Sequence, residues 1–305
     1  MSAPLLLHVG YHKTATTWMQ RSLFVPAHGY RQVMTHEEVW AHLVRPHGLR
    51  FDPEGPRALL AARLAALGPG EVPVISSEIL SGLPFGGGRE SDAYARRLAQ
   101  VAPGARILVS IRAQLAILPS VYMQYVRRGG TMRPAAFFAG ETYLGYFGFS
   151  PEHFEYDALV AHYQALFGAG NVHVLPQEAL RRDMDGAVAD LARFAGNDAF
   201  AGLAPGAREA TGASEPEYAV PVLRRINHLR PTALNRAPAL SLGPAAETAF
   251  RGASWLLRRP AAATLLGGRR RVTEEARRRF AGRFDASNAR LAAICAHPLD
   301  LSGYS

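Results

Sequence analysis

The apolar positions of this chain fall into two rhythms. Short unbroken apolar runs bounded by polar or turn residues predict buried strands over 5–9, 30–34, 72–78, 106–112 and 171–175. Between them, helical patterns cover 56–67, 91–101, 114–127 and 155–167. A shorter helix-compatible run, 19–24, opens after Thr16, and Thr35 is placed to cap another running toward Leu43. Strands that alternate with helices imply βαβ units, and therefore an α/β fold: three layers, with a mainly parallel sheet covered on both faces. Ligands of such sheets bind at the carboxyl ends of the strands. That rule brings the turn around Lys13, the corner at Glu78 and the strand end at Arg112 to one edge.

Near residue 202 the texture changes to Gly, Ala, Pro and Arg, with helical pieces over 217–229, 245–257 and 273–294. One domain spanning 1–305 is expected, with a core of about 1–200 and a mostly helical part over 202–305. The run 254–268 is apolar but interrupted by Arg258, Arg259 and Pro260, so it is unsuited to crossing a bilayer. It suits a packing helix, a cover over the active-site edge, or peripheral contact with a membrane surface. The segment 137–149 is aromatic and glycine-rich, and its Tyr143, Tyr146, Phe147 and Phe149 suit either stacking against rings of a ligand or core packing.

Composition narrows the setting. The single cysteine, Cys295, has no internal partner, no basic leader precedes the first apolar run, and that run is too short for a signal segment, so a cytoplasmic protein is expected. The net charge of +9 suits an anionic ligand. No zinc-finger spacing, RNP-like aromatic pattern or leucine heptad accompanies it, which argues against nucleic acid as a partner.

The chemistry concentrates where the first strand stops. After Gly10 come His12, Lys13, Thr14, Ala15, Thr16, Thr17 and Trp18, and then the helix-compatible run. A strand, a turn and a helix start make an anion site: the first N–H groups of a helix lack intrahelical partners and carry partial positive charge. Three threonine hydroxyls and one ammonium add to it. Lys13 is the only lysine of the chain, every other member of the Lys+Arg total of 34 being arginine. A phosphate or sulfate is the implied ligand. The loop lacks the full Gly-x-x-x-x-Gly-Lys-Ser/Thr pattern, and neighbouring strands end in Ser-Glu and Ile-Arg with no aspartate for magnesium, so binding without a metal is expected. Arg112 closes its strand and Ser120 follows eight residues later, a spacing that on a helix leaves two residues on nearly one face.

Residues 11–18, YHKTATTW, resemble the 5′-phosphosulfate loop of sulfotransferases that use 3′-phosphoadenylyl sulfate (PAPS), whose usual form is Lys-Ser/Thr-Gly-Thr-Thr-Trp. Arg112 with Ser120 is similar to that family's 3′-phosphate motif. Tyr156, Leu159, Tyr163, Glu178, Ser287, Asn288, Leu291 and Tyr304 resemble positions of its bacterial, carbohydrate-type members. The resemblance implies a P-loop-NTPase-like sulfotransferase fold, PAPS as donor and 3′-phosphoadenosine 5′-phosphate (PAP) as product. It also implies that His12, Lys13, Thr14, Ala15, Thr16 and Thr17 surround the phosphosulfate, with Trp18 near the adenine and Arg112 and Ser120 on the 3′-phosphate. Arg269, Arg270 and Arg271 then form either part of a loop over the cofactor or a solvated basic run.

Sulfuryl transfer to a hydroxyl, or less readily an amine, needs a base for the acceptor proton and a cation for the leaving phosphate. Lys13 suits the second task. For the first, the resemblance puts Glu78 in the lead, because similar enzymes often carry a catalytic histidine at the corresponding strand end, and His36 with Glu37 is the rival pair. The acceptor expected is a carbohydrate, a glycolipid or a small hydroxylated metabolite. Ala15 departs from the usual glycine, which is tolerable if its φ stays negative. A kinase with a degenerate phosphate loop and a non-catalytic nucleotide-binding protein are the competing readings.

Overall fold

A computed structural model describes residues 3–140, 147–208, 215–238 and 240–304. Along the chain come β1 (Leu6–His8), α1 (Thr16–Trp18, widening into π-helical turns over Met19–Leu23), β2 (Tyr30–Met34), α2 (His36–Val39), α3 (Glu54–Ala65), β3 (Val72–Ser76), α4 (Ser91–Val101) and β4 (Arg106–Ile111). There follow α5 (Gln114–Arg127), α6 (Pro134–Ala139), α7 (Tyr156–Phe167), β5 (Val172–Pro176), α8 (Gln177–Arg182) and α9 (Met184–Ala195). The later part carries α10 (Val220–Asn227), α11 (Gly243–Leu257), α12 (Pro260–Leu266), α13 (Arg271–Phe280) and α14 (Asp285–Ile294).

The strands form a single sheet in the order β2-β3-β1-β4-β5, and every neighbouring pair is parallel. Its strands are apolar throughout because helices flank it, as the α/β reading requires. The register pairs Leu6 with Val74 and His8 with Ser76. Leu6, Val74 and Leu108 therefore share one face, where they pack against Trp18, Met19 and Leu23 of the first helical segment and Val188, Leu191 and Ala195 of α9. The next row of that face, at the carboxyl end, is polar: His8, Ser76 and Ser110, all buried.

The chain forms two compact units. One comprises residues 1–113, 152–211 and 284–305 and holds the whole sheet, and the other comprises 114–151 and 212–283. Within the second, α5 packs with α10 and α13, and Phe137, Phe138, Phe149 and Phe280 form a ring cluster with centroids 5.3 to 5.8 Å apart. Phe149 is thus a core residue, whereas Phe147 is exposed. Tyr143 and Tyr146 lie outside the described residues.

Connections leave the carboxyl ends of β1 and β4 in opposite directions, β1 toward β2 and β4 toward β5. The crevice between these two adjacent strands is the switch point of the sheet, where open α/β sheets bind their ligands. The Lys13 turn and Arg112 stand at this crevice.

Candidate active site

Beyond β1, pairing with β4 continues for one more step, with Val9 N donating to Leu108 O and Tyr11 N to Ser110 O, each at 2.9 Å. The chain then turns into α1. Lys13 has φ 72° and Ala15 φ 65°, and among the described residues they are the only non-glycine positions with positive φ. The expectation of a negative φ at Ala15 is therefore corrected: the turn needs the left-handed conformation and takes it with a Cβ present. Backbone signs that alternate from residue 12 to 16 turn successive N–H groups toward one concavity, the arrangement that cradles anions. Strain at two consecutive alternate positions persists only where the surroundings over-determine it. Substituting Ala15→Gly is expected to raise stability by about 1 kcal/mol by removing the left-handed penalty. Urea unfolding would show a higher midpoint with an unchanged slope.

The turn is pinned from below by a chain of hydrogen bonds whose directions follow from chemistry. Thr14 Oγ1 donates to Tyr11 O at 2.5 Å, so it accepts from Ser110 Oγ at 2.7 Å. Ser110 Oγ, having spent its proton, accepts from His8 Nε2 at 2.9 Å. His8 Nδ1 is then the acceptor, taking the Ser76 hydroxyl proton at 2.7 Å, and Gln20 Nε2 donates to Ser76 Oγ at 3.2 Å. His8 is thereby fixed as the Nε2–H tautomer. Gly10 leaves room for this chain, since a Cβ there would lie 1.8 Å from Ser110 Oγ and 2.6 Å from His8 Nε2.

Burial lowers the His8 pKa to about 4 against the pull of Glu78. Burial likewise lowers His153 and His173 to about 3, with the charges of His12 and His297 adding to the effect. All three are neutral in the folded protein and protonate near 6.5 when unfolded. The unfolded chain therefore binds more protons below that value, and stability falls as pH drops from about 6.5 toward 4. The expected loss is about 1.4 kcal/mol per pH unit for each of these groups, seen as a steep decline in melting temperature between neutral and pH 5.

Arg112 follows β4 directly, with Nη1 3.5 Å from Lys13 O. Burial and the charge of Arg181 push its pKa down, and Glu178 opposes them. Its backbone is clamped: Tyr156 Oη donates to Arg112 O at 2.7 Å, and Ala113 N donates to Glu178 Oε1 at 3.2 Å. Tyr304 Oη donates to Glu178 Oε2 at 2.6 Å, and Asn288 Nδ2 donates to Tyr304 O at 2.7 Å. Residues far along the chain thus hold the strand end that carries the guanidinium. Arg112 precedes α5, which begins at Gln114, so the helical spacing argument linking it to Ser120 does not apply. Ser120 lies on α5 in the second unit, its hydroxyl donating to Ala116 O at 3.4 Å.

The other sequence-selected residues divide by exposure. Thr14 and Thr16 have buried side chains, Lys13 and Ala15 are half-buried, and Thr17 is exposed. Trp18 is only 5% exposed and packs in the core, its indole N–H donating to Ala207 O at 2.6 Å. Glu78 follows β3, half-buried. Burial works to raise its pKa, but His12, its own backbone N–H, His36 and His8 outweigh that and hold it below the usual carboxylate range. His36 Nδ1 lies 2.8 Å from Ser77 Oγ, so His36 and Glu78 share one corner. His36 opens α2 behind Thr35, which forms a capping box with Glu38. A cleft of about 330 Å³ lies beside them, lined by Gln20, Gln32, Thr35, His36, Glu38, Arg63 and Ser76 among others. His36 and Glu37 are exposed, and neither Glu37 nor Glu78 is in that lining.

His8, Ser76, Ser110 and Gln20 were not singled out by sequence reasoning. Their signal was nonetheless present: one histidine inside an apolar strand, and serines at the ends of two others.

A sulfotransferase from Alicyclobacillus acidocaldarius superposes with a TM-score of 0.56 at 17% identity, covering 100% of this chain and 99% of that one. Mouse sulfotransferase SULT7A1, solved with PAP, gives a TM-score of 0.39 at 15% identity over 94% of this chain and 88% of that one, too distant to carry an argument. No family model and no curated protein matches the chain. The fold, resting on the bacterial structure and the parallel sheet, is that of a sulfotransferase.

Proposed function

We propose that this protein is a PAPS-dependent sulfotransferase that transfers a sulfuryl group to a hydroxyl, or less readily an amine, of a carbohydrate, glycolipid or small hydroxylated metabolite. The observation that carries the reading is the strained, alternating turn with the chain's one lysine, set beside Arg112 at the switch point of a sulfotransferase fold. The donor supplies an activated sulfuryl group attached to a phosphate leaving group.

The loop N–H groups with His12, Lys13, Thr14, Ala15, Thr16 and Thr17 form the phosphosulfate cradle, and Lys13 stabilises the charge that develops on the leaving phosphate. Arg112 serves the 3′-phosphate, and Trp18 backs the loop on the adenine side. Glu78, held ionised at neutral pH, takes the acceptor proton as the new S–O bond forms, and His36 orients the acceptor. Glu37 with His36 is the alternative base pair. The cleft beside them offers hydrogen-bonding groups on Gln20, Gln32, Thr35, Glu38 and Arg63, which supports a hydroxylated acceptor. No metal is assigned a role.

The test is transfer of label from sulfur-labelled PAPS to a panel of sugars, glycolipids and phenols in excess EDTA. Labelled acceptor with stoichiometric PAP supports the proposal. Phosphorylation of the same acceptors from ATP, dependent on magnesium, would replace it with the kinase reading. Tight PAP binding with no turnover across the panel would favour a non-catalytic nucleotide-binding protein.

A further inference from the structure

The second unit carries a feature that the transfer reaction does not use. On α11 and α12, Trp255 and Leu256 are each 60% exposed and Leu265 is 81% exposed. The inner face of α11 is accounted for by buried Ala246 and Phe250, and α12 has no buried residue. Its leucine therefore points away from any core. From residue 248 to 273 the chain contains six arginines and no aspartate or glutamate.

Two of these arginines are committed: Arg251 pairs with Glu247, and Arg258 with Glu215. Arg259, Arg269, Arg270 and Arg271 are exposed and, among the described residues, pair with no carboxylate. Arg259 lies over the Trp255 ring, 3.7 Å from its centroid. An exposed indole and leucines rimmed only by arginines is the composition of a surface that enters the headgroup layer of an anionic bilayer.

From this we infer that the α11–α12 surface docks the protein on a membrane rich in anionic phospholipid, with Trp255, Leu256 and Leu265 entering the interface and the four unpaired arginines meeting lipid phosphates. A second copy fits the patch poorly. A two-fold contact would set the arginines of one copy against those of the other.

Flotation with vesicles tests the inference without reading any enzymatic activity. The native chain is expected to float with vesicles of equal parts phosphatidylcholine and phosphatidylglycerol and to remain behind with phosphatidylcholine alone. Combining Arg259→Gln with Arg270→Gln should weaken partitioning about thirtyfold, and Trp255→Ser with Leu265→Ser about tenfold or more. All four side chains are exposed, and circular dichroism would verify folding. Independently, native tryptophan emission should shift to the blue on the anionic vesicles, and Trp255→Phe should abolish that shift. Equal binding to both vesicle types, no binding to either, or full binding by the Trp255→Ser, Leu265→Ser variant would overturn the inference. So would a native dimer that Trp255→Ser dissolves in the absence of vesicle binding, which would make a second copy the occupant.

Discussion

Lys13→Ala is expected to lower kcat/KM for sulfuryl transfer by about a thousandfold, equivalent to about 4 kcal/mol of transition-state stabilisation. The size follows from position. Lys13 is half-buried at the mouth of the switch-point crevice, on a backbone at φ 72°. Every other cation of the chain is an arginine, and the nearest assigned one, Arg112, is committed with its backbone clamped to Tyr156 and its guanidinium beside Lys13 O. Lys13→Arg should recover little, because a planar guanidinium does not occupy the place of a compact ammonium. Melting temperature should stay within a few degrees of native, since Lys13 sits half-buried in the turn rather than in the core. The contrary outcome is a thousandfold loss accompanied by unfolding, or full activity in Lys13→Ala.

Glu78→Gln carries the second largest effect, a fall in kcat of about a hundredfold or more with PAP affinity preserved. Burial works against the ionised carboxyl, but His12, its own backbone N–H and His36 hold its pKa below the usual carboxylate range. It is thus in the state a base needs, next to the His36 corner of the cleft. Glu37→Gln should have little effect by comparison, because Glu37 is exposed whereas Glu78 is half-buried at the strand end. If Glu37→Gln lost the activity and Glu78→Gln kept it, the rival pair would hold the base. Loss of PAP affinity in Glu78→Gln would move that residue to the donor side.

Much of this architecture was legible because buried parallel strands announce themselves. The strand expected over 30–34 is β2, and the helices expected over 91–101 and 114–127 are α4 and α5. Amphipathic period and Gly or Pro punctuation marked their ends. Three segments were not legible, for different reasons. Residues 177–195 form α8 and α9 with no Gly or Pro between them, and the break at Asp183 arises because its side chain caps α9 by accepting from Gly186 N. The helix expected over 273–294 is two, since Gly282 adopts φ 73° between α13 and α14. The expected aromatic segment hides α6, whose Pro134 start was masked by the phenylalanines that follow.

The site divides similarly. The groups proposed to meet the donor and acceptor, Lys13, Arg112 and Glu78, are polar residues at strand ends, which is where the fold rule looks. The supports are not local. His8 meets Ser76 and Ser110 only through strand order, and Tyr304 reaches the Ala113 N–H beside Arg112 through Glu178. Ala15 shows a further limit, because spacing reveals the turn but not the sign of φ that it adopts.

The most direct measurement is calorimetric titration of the native chain with PAP in EDTA, beside Lys13→Ala and Arg112→Ala. One site of micromolar or tighter affinity is expected, weakened at least tenfold in each variant, with ATP and magnesium failing to compete. A folded native chain that does not bind PAP, or that binds ATP and magnesium in its place, would contradict it.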